Sequence, residues 1–202
     1  MVAVQHDKGG SGAEKPGKAH ILAAARELFD SHGFHQTSMA ELAAAAQVSV
    51  GQIYRLFKGK EDIIAALVHA DADQWCQDMD ALRQRLKAGE LSIEQTFEQL
   101  LMHTIDEKNE ALSFDILAES FRNEAVGDTI ANMCTRFRTY IRDFACAANP
   151  DLSGAALEGA EEVVLACMFG LGHRSLSRPK LSAAAAGALS ARMILAALRA
   201  ID

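Results

Sequence analysis

The segment Ser38–Asp62, SMAELAAAAQVSVGQIYRLFKGKED, constrains the fold more than any other part of the chain. Ser38 stands three residues before Glu41, and Ser49 three residues before Gln52. Each spacing fits a capping box, in which a serine oxygen accepts an orphan helix N–H and the Glu or Gln side chain reaches back. Two such starts, eleven residues apart with AELAAAA between them, predict two short helices joined by a tight turn. The first should run from Met39 to about Ala46 and the second from Val50 to Phe57. At about 100° per residue, Val50, Ile53, Leu56 and Phe57 gather on one side. Gly51, Tyr54 and Arg55 take the other, with Gln52 at its edge. An arginine can fork onto guanine, a glutamine onto adenine, and both can hold phosphate. A solvated face with Gln52 serving only as a cap partner fits the same residues, so DNA binding and simple solvation both stand at this point.

The run Thr37-Ser38-Met39, Leu42-Ala43, Val48-Ser49-Val50-Gly51, Ile53-Tyr54, Phe57 and Lys60-Glu61 resembles the N-terminal domain of TetR-type repressors. Ala24-Ala25, Leu28-Phe29 and Gly33-Phe34 extend the resemblance to roughly residues 18–65, while the remainder is similar only in length and helical pattern. Gln47 departs from it, since the family often places glycine in this turn, and Gln is less comfortable than Gly at positive φ. The resemblance implies that Tyr54 and Lys60 hold DNA phosphates on either side of the second helix, with Thr37 or Ser38 adding a backbone contact. Gln52 and Arg55 are the candidate base readers and Gly51 the point of close approach. Ser49, Val50 and Lys58 complete the candidate DNA-facing set. Ordinary surface charge is the lesser alternative for the two lysines.

An all-α protein of about nine helices is expected, because no strand-like alternation and no internal repeat appears. The organisation reads as a flexible tail over residues 1–17, a helix-turn-helix domain over 18–62, and a helical effector-binding and dimerisation domain over 63–202. In the tail, Lys8, Lys15 and Lys18 could reach phosphate or a minor groove, or merely solubilise it. The net charge of −7 is unevenly spread. Residues 1–60 carry seven Lys or Arg against five Asp or Glu, whereas residues 61–202 carry thirteen against twenty-two. The acidic portion would be repelled by DNA, which leaves the N-terminal end to face it. Cys76, Cys134, Cys146 and Cys167 lie far apart with no C-x-x-C pair, as reduced and mostly buried thiols would. No metal site or cofactor is implied. Val163 to Leu171 is the longest apolar run and is too short to span a bilayer, and residues 1–18 lack a signal-peptide core. A cytoplasmic protein with no membrane partner is therefore expected.

Helix 1 should cover about Lys18–His32, with Gly33 ending it. A long helix should follow Gly59 and end near Gly89, physically connecting the two ends of the molecule. Further helices are expected over about Ser92–Glu107, Glu110–Asn123, Ala125–Asn149, Gly154–Ser175 and Ser182–Ile201. In the family the middle of the chain encloses a pocket for a small, often apolar effector. Trp75, Met102, His103, Phe114, Leu117, Phe121, Phe137 and Tyr140 are the candidates here, although each suits plain core packing as well. Arg136, Arg138 and Arg142 read as a solvated face. The last two helices are rich in Ala and Gly, which permits close helix approach. In the family that pair builds a four-helix homodimer interface, and a twofold dimer demands a palindromic operator.

The reading that gathers these features is a homodimeric repressor of a double-stranded DNA operator, released by a small molecule. A DNA-binding protein governed by a protein partner is the alternative. An enzyme has little behind it: adjacent Glu161 and Glu162 point about 100° apart on a helix, and His173-Arg174 suits a helix C-terminal dipole.

Overall fold

The computed structural model describes residues 16–105 and 110–201. Lys8 and Lys15 of the expected tail, and Glu107 at the expected end of the fifth helix, lie outside the described residues. Among the described residues the fold is all-α: α1 (Pro16–His32), α2 (Met39–Ala45), α3 (Val50–Leu56), α4 (Lys60–Lys87), α5 (Ile93–Thr104), α6 (Glu110–Ser120), α7 (Glu124–Ala148), α8 (Gly154–Gly172) and α9 (Ala183–Arg199). A 3-10 turn, Arg174–Ser177, lies between the last two.

Local chemistry sets the boundaries. Ser38 and Ser92 each close a full capping box, with Glu41 and Gln95 respectively. Ser182 caps α9, and the Asn123 side chain accepts the Ala125 and Val126 N–H groups at the start of α7. Gly33 at φ +83° turns the chain out of α1, and Gly89 at φ +72° follows α4, the left-handed region that glycine enters at no steric cost. The long helix expected after Gly59 begins at Lys60 as α4, with Gly59 as its N-cap.

Two expected ends move. Helix α6 stops at Ser120 rather than Asn123, because the Arg122 and Asn123 N–H groups both fold back on Glu119 O and Asn123 turns extended to cap α7. Helix α8 stops at Gly172 rather than Ser175, because His173 leaves helical geometry (φ −116°, ψ 24°). The cysteines also differ from expectation: Cys76 is buried, Cys134 and Cys146 are half-buried, and Cys167 is exposed. Arg136 and Arg142 do not merely face water. They pair with Asp73 at 2.7 Å and with the buried carboxylate of Glu161 at 2.6 Å.

Apolar burial falls into two clusters. One gathers Phe29, Leu42, Ile53, Ile63 and Leu67 from the first four helices and Phe34 from the turn after α1, together with Leu112 and Ile116 of α6 and Val126 of α7. The other is built from Met79, Phe97, Leu100, Ile141, Phe144, Leu165 and Leu195. Helix α4 serves both: at about 1.5 Å per residue its 28 residues make a strut about 42 Å long. Among the described residues no helix is long and apolar enough to cross a membrane.

Candidate DNA-binding surface and ligand cavity

Helix α3 is seated by Ile53 and Phe57, both buried in the N-terminal apolar cluster. That seat leaves the opposite face open. Tyr54 is 53% exposed, Arg55 and Gly51 are exposed, and no protein atom lies within 4 Å of where a Cβ at Gly51 would stand. Val50, expected on the inner side, is 49% exposed and belongs to the open face. Ser49 accepts the Gln52 N–H at 3.2 Å. The return bond of the second capping box does not form, so the Gln52 amide is not held by its own helix start. It lies instead beside the first turn of α1, where a Cβ on Gly17 would meet its Nε2 at 2.9 Å.

The turn before α3 bends at Gln47, whose φ is +55°. A non-glycine residue in this region costs roughly 1–2 kcal/mol. The Val48 N–H bonds Ala43 O at 2.9 Å and the Gln47 N–H bonds Ala44 O at 3.1 Å. Those bonds and the flanking helices hold the turn in place.

The flanking residues divide into surface and scaffold. Lys58 and Ser38 are exposed. Thr37, expected at the DNA backbone, is 2% exposed and donates its hydroxyl to Gly33 O at 2.9 Å; its side chain locks the α1–α2 turn instead. Lys60 is half-buried, and its Nζ donates to Phe34 O at 2.6 Å and His35 O at 3.2 Å while sitting 4.6 Å from the Phe34 ring centre. An ammonium has three N–H donors, so one remains for a phosphate.

The second site is a cavity of about 300 Å³ between α4, α5, α6, α7 and α8, reaching Arg26 of α1. That size is at the low end of ordinary ligand pockets. Of the residues expected there, Trp75, His103, Leu117 and Phe137 line it. Trp75 lies against Phe137 with ring centres 3.8 Å apart. Four others do not. Met102 packs on α9, where a Cβ on Gly187 would meet its Sδ at 2.9 Å. Phe121 falls in the turn after α6 and is 91% exposed. Tyr140 stands edge-on behind Trp75 and faces Arg83, and burial pushes its phenol up to about 12. Phe114 lies beside the His173 ring rather than in the wall, 4.7 Å between centres.

Sequence reasoning missed Glu110, Ser113, Met168, Phe169 and His173, all of which line the cavity. His173 does meet the end of α8, with Nδ1 2.8 Å from Phe169 O, but its Nε2 also meets Ser113 Oγ at 2.9 Å. No spacing rule could announce that pair, which lies 60 residues apart. Two further lining residues pair with each other: Arg26 of α1 forks onto Asp71 of α4, at 2.6 and 3.2 Å.

Helix α6 belongs to both sites. Leu112 and Ile116 line the cavity and are also buried in the cluster that seats α3. Asp115, between them, accepts the Phe34 N–H at 2.8 Å.

The fold has counterparts among known proteins. The family model for bacterial regulatory proteins of the tetR family matches residues 21–67. The HTH-type transcriptional regulator UidR of Escherichia coli K12 is 29% identical over 119 residues, which covers 58% of this chain and 59% of UidR. The chain thus matches less than two thirds of that relative's length. The fatty acid degradation regulator FadR from Bacillus halodurans superposes with a TM-score of 0.76 at 16% identity, over 93% of this chain and 99% of its own. FadR from Bacillus subtilis in complex with stearoyl-CoA gives 0.67 at 16% identity, over 90% and 97%. At those identities the two structures speak for the fold alone.

Proposed function

We propose that the chain, whose residues 21–67 match the family model for bacterial regulatory proteins of the tetR family, is a homodimeric TetR-family repressor whose operator is a palindrome and whose release is driven by a small, mainly apolar effector. The observation that carries the proposal is the double membership of α6, one helix serving as a wall of the cavity and as part of the core under α3. A ligand that filled the cavity would displace that wall, and Asp115 would carry the displacement to the turn after α1. A coupling of about 1–3 kcal/mol changes operator affinity about 5–150-fold. Nothing in this scheme requires catalysis or a cofactor.

The second copy would sit on α8 and α9. Their outer faces expose Val163, Leu189 and Met193 among small residues such as Gly159, Ala166 and Ala196. Twofold pairing there would present two α3 helices to successive major grooves. Gln52, once swung away from Gly17, and Arg55 would read base edges. Tyr54, Ser38, Lys58 and the free donor of Lys60 would hold phosphates.

Selection from random duplex DNA followed by gel-shift titration tests the reading. The expected product is an inverted repeat. Gln52→Ala and Arg55→Ala should each weaken binding to it by about 1–3 kcal/mol per lost bidentate contact. Selection of no inverted repeat, or titration curves unmoved by both substitutions, overturns the assignment.

A further inference from the structure

We propose that the cavity selects an effector carrying a protonated amine, an amphipathic ammonium with a short apolar body, and rejects the matching carboxylate. This rests on the reading of the cavity as the effector site and adds the chemistry of its polar end.

Hydrogen-bond direction carries the argument. A carbonyl oxygen only accepts, so His173 Nδ1, 2.8 Å from Phe169 O, holds the ring proton. In the neutral ring Nε2 is then an acceptor, and the Ser113 hydroxyl 2.9 Å away donates to it. Ser113 is left with lone pairs only. Thr104 is in the same condition, because its hydroxyl donates to Leu100 O at 3.1 Å. Glu110 stands three residues before Ser113 and hence on the same face of α6. Its Oε2 accepts from Ser175, whereas its Oε1 is buried with no hydrogen-bond partner among the described residues. A buried polar atom without a partner is costly.

Glu110, Ser113 and Thr104 all line the cavity, and each oxygen left open is an acceptor. The charges agree. Among the described residues the cavity is lined by Arg26, Asp71 and Glu110 together with the imidazoles of His103 and His173; Arg26 and Asp71 pair with each other, which leaves the Glu110 carboxylate without an ion pair among them. Trp75, Phe137 and Phe169 add aromatic faces, which attract a cation rather than an anion. A carboxylate placed there would meet oxygen lone pairs and a like charge.

The test uses the full chain and three probes of one tail length, octylamine, octanol and octanoate. The readouts are thermal shift and the emission of Trp75, the single tryptophan of the chain and a lining residue. Octylamine should bind at least tenfold more tightly than octanoate. Glu110→Gln should cut octylamine binding about tenfold, or about 1.4 kcal/mol, and leave octanol within threefold. Ser113→Ala, which leaves the carboxylate in place, should weaken octylamine by a smaller factor. Octanoate binding as well as octylamine, or an amine preference that survives Glu110→Gln, overturns the proposal while leaving the cavity as an effector site. A response to none of the three probes overturns the effector-site reading itself, and the amine rule with it.

Discussion

The Asp115 carboxylate accepts the backbone N–H of Phe34 at 2.8 Å, tying α6 to the turn that follows α1 across 81 positions of sequence. The same helix contributes Leu112 and Ile116 to the core beneath α3 and to the cavity wall. Replacing Asp115 by Ala leaves the Phe34 N–H without its acceptor, which costs about 1–3 kcal/mol when such a group stays buried. Thermal unfolding should show that loss. The sharper expectation concerns coupling: the ratio of operator affinities with and without bound effector should shrink at least threefold. Asp115→Asn keeps an acceptor and should retain the ratio. An unchanged ratio in Asp115→Ala would show that the tie is structural only.

Lys58 and Lys60 look alike in sequence and are unlike in the fold. Lys58 is exposed, whereas Lys60 spends two N–H groups on Phe34 O and His35 O. Each phosphate contact contributes about 0.9 to the slope of log affinity against log salt concentration. Lys58→Ala should lower that slope with no change in thermal stability. Lys60→Ala should lower the slope and the Tm together, because the bonds to the α1–α2 turn go with the phosphate contact. A Lys60→Ala protein as stable as the parent would refute the bracing role.

Gln47 holds φ +55° where a side chain is disfavoured. Gln47→Gly should relieve that strain, part of which is offset because glycine gains more freedom on unfolding. A net gain of about 0.5–1 kcal/mol would raise the Tm of a chain this size by about 1–4 °C. Gln47→Val should lower it, since a branched side chain fits the left-handed region worst. Differential scanning calorimetry on both variants decides the sign.

What could be read from residue order follows from range. The Ser38–Glu41 box, the end of α1 at Gly33 and the seat of Ile53 and Phe57 are local events, and each is written within a few residues. The second box was half legible: Ser49 caps α3, but Gln52 lies against Gly17 of a helix that no local rule brings near. Periodicity placed Phe121 inward, yet one more turn of α6 was replaced by the Asn123 cap of α7, and the ring went to the surface. Trp75 and Phe137 could be guessed because aromatic side chains at helical spacing seek an interior. Ser113 and His173 could not, because only the packing of α6 against α8 joins them.

The capping box also sets a pH dependence. The Ser38 backbone N–H, and after it the Ser38 hydroxyl, hold the Glu41 carboxyl below the usual carboxylate range. The folded value is thus lower than the unfolded one. The associated stability is complete above the unfolded value and is lost as pH falls through the folded value. Glu41→Gln should therefore be less stable than the parent at neutral pH, and the two melting temperatures should converge in acid. Because Glu41 is exposed, solvent screening keeps the gap small. A gap that stays constant from neutral to acid pH would exclude this origin.

Val163 on α8 and Met193 on α9 are 63% and 65% exposed. Apolar groups exposed together on adjoining helices suit an interaction surface, and the neighbouring small residues let a second helix pair approach closely. Val163→Glu and Met193→Glu place like charges across a twofold axis, so both copies of each change repel within one interface. Light scattering after gel filtration should report a dimer for the parent and a monomer for the double variant, with the helical circular dichroism of the parent retained. Operator binding should fall with it, because a lone α3 grips one half-site and loses the gain from linking two. A double variant that stays dimeric would move the interface off α8 and α9. One that is monomeric yet binds the palindrome at full affinity would remove the need for the dimer.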